Sequence, residues 1–329
     1  ALSSAASDVY KRQILCVLMS CLLFVMAGCS GHSKNLKFGA ADIGGVYYSF
    51  ASTFTQLADN EIDGYTFETK TTAGSVANLR LISDGYIDLA IVQADLLSDA
   101  YNATGTFADK KYQKGYKAVA SLYTECCQIV VRKDSGITGI DDLINKTVSV
   151  GASESGSEKN AEQILKMSGI TDELINKVNM DYTEAAGKLK AGEIDAFFCT
   201  AGTRTEVIGQ LSKECDICLI SLDDKCIDKM LSAYSLCEKY TIPAGTYNGQ
   251  DSDVTTIGVK AVLIAKQSLS DDVIKNVTKT IYEHADDFKY ATSLDISFDI
   301  NTAADGVDIP FHSGAAAYYT ERGINVLTE

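Results

Sequence analysis

Apolar positions along this chain follow two alternating rhythms. Short period-two or continuously apolar runs predict strands over Lys34–Gly39, Tyr65–Thr71, Leu89–Val92, Thr147–Val150, Val178–Tyr182, Ile194–Cys199 and Cys215–Leu222. Between them, apolar residues recur every three or four positions, as on one face of a helix. This spacing predicts a helix over Val46–Leu57, and a second entered through Thr72-Ala73-Gly74-Ser75 with Val76, Leu79 and Ile82 inward. A third opens at Ser155-Gly156-Ser157-Glu158 with Ala161, Ile164 and Leu165 inward, and others cover Glu184–Lys190 and Asp271–Phe288. Thr138-Gly139-Ile140-Asp141 has the form of a capping box before a short helix at Asp141–Asn145. Cys215–Glu238 reads as strand then helix. Two longer extended segments, Ala118–Lys133 and Ile257–Lys266, read as crossovers. Strands alternating with helices predict parallel sheets covered on both sides.

The same pattern is stated twice. Phe38-Gly39-Ala40-Ala41-Asp42-Ile43-Gly44-Gly45 is echoed by Val150-Gly151-Ala152-Ser153-Glu154-Ser155-Gly156-Ser157, and Gly85–Ala94 by Gly192–Ala201. Gly39 to Asp88 spans 49 positions and Gly151 to Asp195 spans 44. Two copies of a strand–Gly/Ser loop–helix unit predict two α/β lobes facing each other across a cleft. Gly44-Gly45 and Gly74-Ser75 stand at helix entrances in the first lobe, Ser155-Gly156-Ser157 at one in the second. Unpaired N–H groups and hydroxyls at helix N-termini favour anions such as carboxylates. Gln93 and Thr200 follow matched strands and should point to the same place, since ligands of open α/β sheets sit at the C-terminal strand ends. Helix capping alone accounts for any one of these loops. Their repetition in both lobes is what points to a ligand.

Composition narrows the classes. The 329 residues are 46% apolar and 22% charged, which is globular and long enough for two domains. A net charge of −15 leaves no basic stripe for a phosphate backbone and argues against nucleic acid. No GxGxxG, GxxxxGK[ST] or GxSxG is present, which argues against nucleotide cofactors and a serine nucleophile. The three histidines offer no general base: His32 lies in the tether, His284 reads as a surface or capping side chain, and His312 as a hydrogen-bonded structural one. Asp88 and Asp195 follow Gly turns in different lobes and read as turn or cap residues. No acid–base pair is legible, so the reading is non-enzymatic, with no cofactor and no metal.

The N-terminus stands apart. Residues 1–13 read as a non-native leader, since Ser7–Gln13 resembles a translated transposon end. Ile14–Ala27 is an apolar run too short to span a bilayer comfortably, and residues 14–28 read as a lipoprotein signal peptide. Met26-Ala27-Gly28-Cys29-Ser30 resembles a lipobox, so Cys29 is the expected lipidation site and residues 29–35 a lipid-anchored tether. The expected location is extracytoplasmic, anchored to the cell membrane or periplasmic. Seven cysteines remain beyond Cys29. An odd number cannot all pair, and a single CxxC at Cys215 and Cys218 is a weak zinc signal, so buried free thiols are expected.

At this point the motifs carry a family resemblance. Ile43–Tyr48, Thr72–Leu81, Ile87–Asp95 with Ala100-Tyr101-Asn102, Ala118–Tyr123 and Val148–Glu158 resemble the solute receptors of tripartite ATP-independent periplasmic (TRAP) transporters, in their TAXI subfamily. So do Ile194–Gly202, Ile242–Tyr247 and Ile309–Tyr319, so the likeness covers nearly everything after residue 34. The resemblance implies a type II periplasmic-binding-protein fold: two α/β lobes on a two-segment hinge, with residues 34–130 and 260–329 in lobe 1 and 131–259 in lobe 2. It implies a monomer that captures a small organic acid or amino acid (glutamate- or dicarboxylate-like) and delivers it to a TRAP membrane permease. An extracytoplasmic sensor acting on a signalling partner is the alternative. Carried onto this chain, the ligand-binding residues are Gly45, Tyr47, Thr72, Ser75, Gln93, Ser155, Ser157 and Thr200. Thr203-Arg204 departs from the family's apolar residue and Pro, and Ser313 replaces the usual Pro after His312. Arg204 is therefore added as a candidate carboxylate contact at the cleft rim, its alternative being a solvated Arg at a helix start.

Overall fold

The continuous apolar runs become the inner strands of one ten-stranded sheet in the computed structural model, which describes residues 33–109, 114–292 and 298–329. The expected leader, the signal peptide and Cys29 lie outside the described residues. Along its main path the sheet runs β2 (Tyr65–Lys70), β1 (Lys34–Gly39), β3 (Leu89–Gln93), β10 (Val254–Lys266), β4 (Tyr116–Arg132), β7 (Ala196–Ala201), β5 (Thr147–Ser149) and β6 (Asn176–Val178). β8 (Ile217–Leu219) joins β4, and β9 (Cys237–Ile242) joins β10. β1 pairs in parallel with β2 and β3, and β5 in parallel with β6 and β7. β4 and β10 run antiparallel to each other and to the central strands they border.

These two strands make the hinge. β4 is 17 residues long and β10 is 13, which at about 3.3 Å per residue is enough to serve both lobes. β4 follows β10 as far as Cys126↔Gly258 and takes up β7 at the same residue, Cys126↔Ala201. The sheet thus resolves into two α/β lobes joined by two strands, the two-lobed architecture expected from the sequence.

The duplication is visible in hydrogen bonds. Asp88, just before β3, accepts the Lys37 N–H of β1 at 2.9 Å and returns its own N–H to the Lys37 carbonyl at 2.8 Å. Asp195, just before β7, accepts the Thr147 N–H of β5 at 2.8 Å and returns its own to the Thr147 carbonyl at 2.9 Å. Each aspartate fixes the register of a parallel pair that has only two matched positions of its own.

Phe38, Phe50, Phe54 and Phe288 are fully buried, with Phe50 stacked on Phe288 at 4.4 Å and Phe54 edge-on to Phe67 at 5.4 Å. Each such ring contributes about 1.5–3 kcal/mol by leaving water. They hold the helix Val46–Glu61 and the C-terminal helices to the first lobe. Val148, Ile164, Phe198, Ile227 and Met230 form a second core on the other lobe.

Four local expectations change. Val178–Tyr182 is strand only to Val178; Asp181 is instead the N-cap of a helix at Tyr182–Ala191, its carboxylate accepting the Glu184 N–H at 2.7 Å. The single helix expected at Asp271–Phe288 is two, Asp271–Glu283 and Ala285–Thr292. His284 breaks it, held off helical geometry between Glu61 (2.6 Å) and Asp287 (2.9 Å). The short helix near residue 140 is a 3-10 turn at Ile140–Leu143, and Asp142, not Asp141, takes the Thr138 and Gly139 N–H groups. Cys237–Ile242 is an edge strand rather than the tail of a helix. Among the described residues all seven cysteines are free, five of them buried, and no helix is long and apolar enough to cross a membrane.

Candidate functional site

Five helices begin around one point where the lobes meet. They start at Val46, Ser75, Ala94, Gly156 and Tyr182. The first three follow Gly45, Gly74 and Gln93, none of which gives a side-chain cap, so their first-turn N–H groups are left to partners outside the helix. Between these starts lies a cavity of about 40 Å³ bounded by both lobes.

Two serines set the strand ends that floor it. Ser75 Oγ accepts the Gln93 N–H at 3.1 Å, and Ser157 Oγ accepts the Thr200 N–H at 2.8 Å. A tyrosine attends the floor from each lobe. Tyr182 donates to the Thr200 carbonyl at 2.9 Å, so the Ser157 proton goes to the Tyr182 oxygen, 2.5 Å away. Tyr47 donates to Glu125 Oε2 at 2.8 Å. Ser157 is thus fully engaged in holding Thr200 and Tyr182. Ser157→Ala strands a buried N–H and is expected to lower unfolding free energy by about 1–3 kcal/mol, read by urea denaturation. Ser155→Ala removes a cap on the Glu158 N–H (3.0 Å) and is expected to cost about 1 kcal/mol in the same assay.

Glu125 stands at the bottom, one residue before β4 takes up β7, and is 3% exposed. Its Oε2 receives Tyr47 and, at 3.3 Å, Gln93 Nε2. Burial pushes its carboxyl up to about 8, against the pull of those two donors, with Asp95 adding to the rise. Asp95, buried beside it, is lifted to about 6, chiefly by burial. Asp42 is raised by burial and by Asp181 nearby. Among the described residues, no lysine, arginine or histidine lines the cavity.

Contacts between the lobes close the cavity on two sides. Arg80 grips Glu154 with two bonds of 3.1 and 2.5 Å, and the Ala77 N–H donates to the Glu154 carbonyl at 3.1 Å. Opposite, the Tyr182 N–H donates to Asp42 Oδ2 at 3.2 Å, so a first-lobe carboxylate caps a second-lobe helix. Gly74 sits at φ +123°, a conformation side chains avoid, with Ser155 Cα 3.3 Å from where its Cβ would be.

Of the sequence-predicted residues, Gly45, Tyr47, Ser75, Gln93, Ser155, Ser157 and Thr200 all line this cavity. Thr72 does not; its hydroxyl lies 2.9 Å from the Ala40 carbonyl and 2.7 Å from Asn78 Oδ1, and it accepts the Gly74 N–H at 3.3 Å, shaping the loop behind the wall. Arg204 does not either. Its backbone turns at φ +66°, and it lines a separate surface hollow with Ser49, Gln210 and Lys213. Glu125, Asp42 and Tyr182 escaped the sequence reading. The signal for Glu125 was available: it is the one charged residue in the run Ala118–Val131.

The model of the NMT1-like family matches residues 38–323. The chain belongs to the NMT1-like family. This NMT1-like protein is also similar in fold to the periplasmic binding protein BugD (TM-score 0.54, 10% identity, covering 78% of this chain and 85% of that one). A Listeria monocytogenes protein described as an L-cystine ABC transporter gives 0.50 at 15% identity, covering 79% and 94%. The zinc-bound ligand-binding component of an ABC-type import system from Staphylococcus aureus gives 0.50 at 12% identity, covering 88% and 92%. At these identities the likeness is one of fold alone.

Proposed function

We propose that this protein is an extracytoplasmic solute receptor of a TRAP-type transporter, of the TAXI kind, which closes its two lobes on a small organic acid and presents it to a membrane permease. Residues 34–130 with 260–329 form one jaw in this reading, and 131–259 the other. The observation that carries it is the convergence of five helix starts, three of them without a side-chain cap, on a cavity shared by both lobes. Such starts hold a carboxylate without a fixed cation, because each brings partial positive charge and N–H groups that the helix itself does not use. The motifs running from Ile43 to Tyr319 support the TAXI assignment. Closure is the signal: only the liganded, closed form offers both lobes to the permease in register. In this reading the protein acts by binding alone.

A thermal-shift screen against amino acids, 2-oxo acids, dicarboxylates and sugars tests this. A cognate acid at about 100 times its dissociation constant is expected to add about 2.7 kcal/mol of stability. A response to sugars alone, with none to any organic acid, would overturn the assignment.

A further inference from the structure

We propose that Glu125 meets the solute as a neutral carboxylic acid: its Oε1–H donates a hydrogen bond to an oxygen of the bound organic acid. The inference rests on the receptor reading above and assigns a specificity-determining residue within it. Glu125 lines the cavity and is 3% exposed. Its Oε2 already receives two donors, the Tyr47 hydroxyl at 2.8 Å and Gln93 Nε2 at 3.3 Å. An oxygen that accepts two hydrogen bonds has no lone pair to spare for a proton, so the proton of the neutral acid belongs on Oε1. Oε1 has no partner among the described residues. Unlike Gln93 Oε1, it is not sealed in by protein, so it opens on the cavity. A neutral Glu125 therefore presents one O–H donor to whatever the cavity holds.

The charges around the cavity call for that form. The groups that face Glu125 are Tyr47 from the helix at Val46, Asp95 from the helix at Ala94, Tyr123 and Cys126 from β4, Tyr182 from the helix it begins, and Cys199 from β7. Asp42 and Asp181 line the walls, each accepting a helix N–H. None is cationic. An ionised Glu125 would set its charge against the carboxylate of the ligand with no counter-ion between them. A neutral one replaces that repulsion with a charge-assisted O–H···O bond. Burial keeps the proton on Glu125 up to about 8, so the donor is in place at neutral pH and closing requires no proton uptake. The helix starts offer N–H groups and Glu125 an O–H group, so floor and walls ask the same thing of a ligand: acceptor oxygens.

Calorimetry on the whole protein with succinate, 2-oxoglutarate and glutamate tests the assignment. Affinity is expected to stay level from about pH 7 to 8 and then to fall, by up to about tenfold per unit, as free Glu125 loses the proton it donates. The tyrosines and thiols around it are all raised by burial and release no proton in this window. Glu125→Ala is expected to weaken binding by about ten- to a hundredfold, the worth of a hydrogen bond to a charged partner. Glu125→Gln is expected to rescue most of that loss, because its NH2 group donates from the same place, and to remove the fall above pH 8. A level or rising wild-type profile through pH 9, or Glu125→Gln as weak as Glu125→Ala, overturns the proposal while the receptor for organic acids stands. If none of the three acids binds, the proposal and the organic-acid reading fall together. Infrared spectroscopy on the wild type decides the matter even if neither variant folds. A protonated-carboxyl C=O band that titrates near pH 8 and shifts when the acid is added is the expected result, and a spectrum without one overturns the proposal.

Discussion

Gly156→Ala is expected to disable solute capture while leaving the lobes intact. A Cβ on Gly156 falls 2.4 Å from Gln93 Oε1 and 2.5 Å from its carbonyl carbon, well inside contact distance. Gln93 has little room to retreat: its N–H is held by Ser75, its amide by Glu125, and its backbone by Ala261 of β10. Either Gln93 gives up its bond to Glu125 or the lobes stay ajar, and the second outcome costs the Arg80–Glu154 and Asp42–Tyr182 contacts. A weakening of at least about tenfold in affinity, or about 1.4 kcal/mol, is the expected result by calorimetry. Stability should change little, because Gly156 is the first residue of its helix and the altered contact lies between the lobes rather than within either core. That separation of affinity from stability is the discriminating feature. Affinity unchanged in Gly156→Ala would mean that the lobes do not close through Gln93.

The second large effect is on pH. Without ligand, the closed protein is expected to lose stability as pH rises from about 5 to about 8. An ordinary glutamate has released its proton above 4.5, whereas Glu125 keeps its own up to about 8. Below the lower value both folded and unfolded chains hold the proton and Glu125 contributes no penalty. Between the two values the unfolded chain ionises and the folded one does not, so unfolding is increasingly favoured; above the upper value the loss levels off. At about 1.4 kcal/mol per unit, the span corresponds to a loss of several kcal/mol. Asp95 adds to the slope below about 6 in the same direction. His284, raised by Asp287 and Glu61, also contributes stability that fades as pH rises past its own range. Urea denaturation across this window reads the effect, and Glu125→Gln should flatten it. A flat wild-type profile would place Glu125 in contact with solvent.

Much of this was written plainly in the order of residues. Leu89–Val92 is a short continuous apolar run, and the two crossovers are long segments rich in apolar and β-branched residues, so both read as strands. The Gly-Ser helix entrances were legible because glycine and serine have a specific use there. What stayed hidden depended on neighbours distant in sequence. Val178–Tyr182 alternates like a strand, and only the fold shows Asp181 capping and Tyr182 reaching Ser157 and Thr200. His284 sits on a clean helical stripe and breaks it because of Glu61, 223 positions away. Cys237–Ile242 carries charged side chains on an edge strand, where burial imposes no apolar pattern. Arg204 drew attention as the cation an acid receptor would want, yet the donors around the cavity are backbone groups, which a sequence does not display.

The hinge also dictates the order of assembly. The chain crosses to the second lobe on β4 and returns on β10, so the strand that completes β3's pairing is made only after residue 254. The lobe begun first is therefore finished last, and must wait for β10 and the helix Asp271–Glu283 to cover it. The middle of the polypeptide can collapse on itself meanwhile. Nascent chains truncated near residue 250 should thus hold one formed half and one half open to chaperones, whereas an internal deletion of the middle would leave the two ends already able to meet.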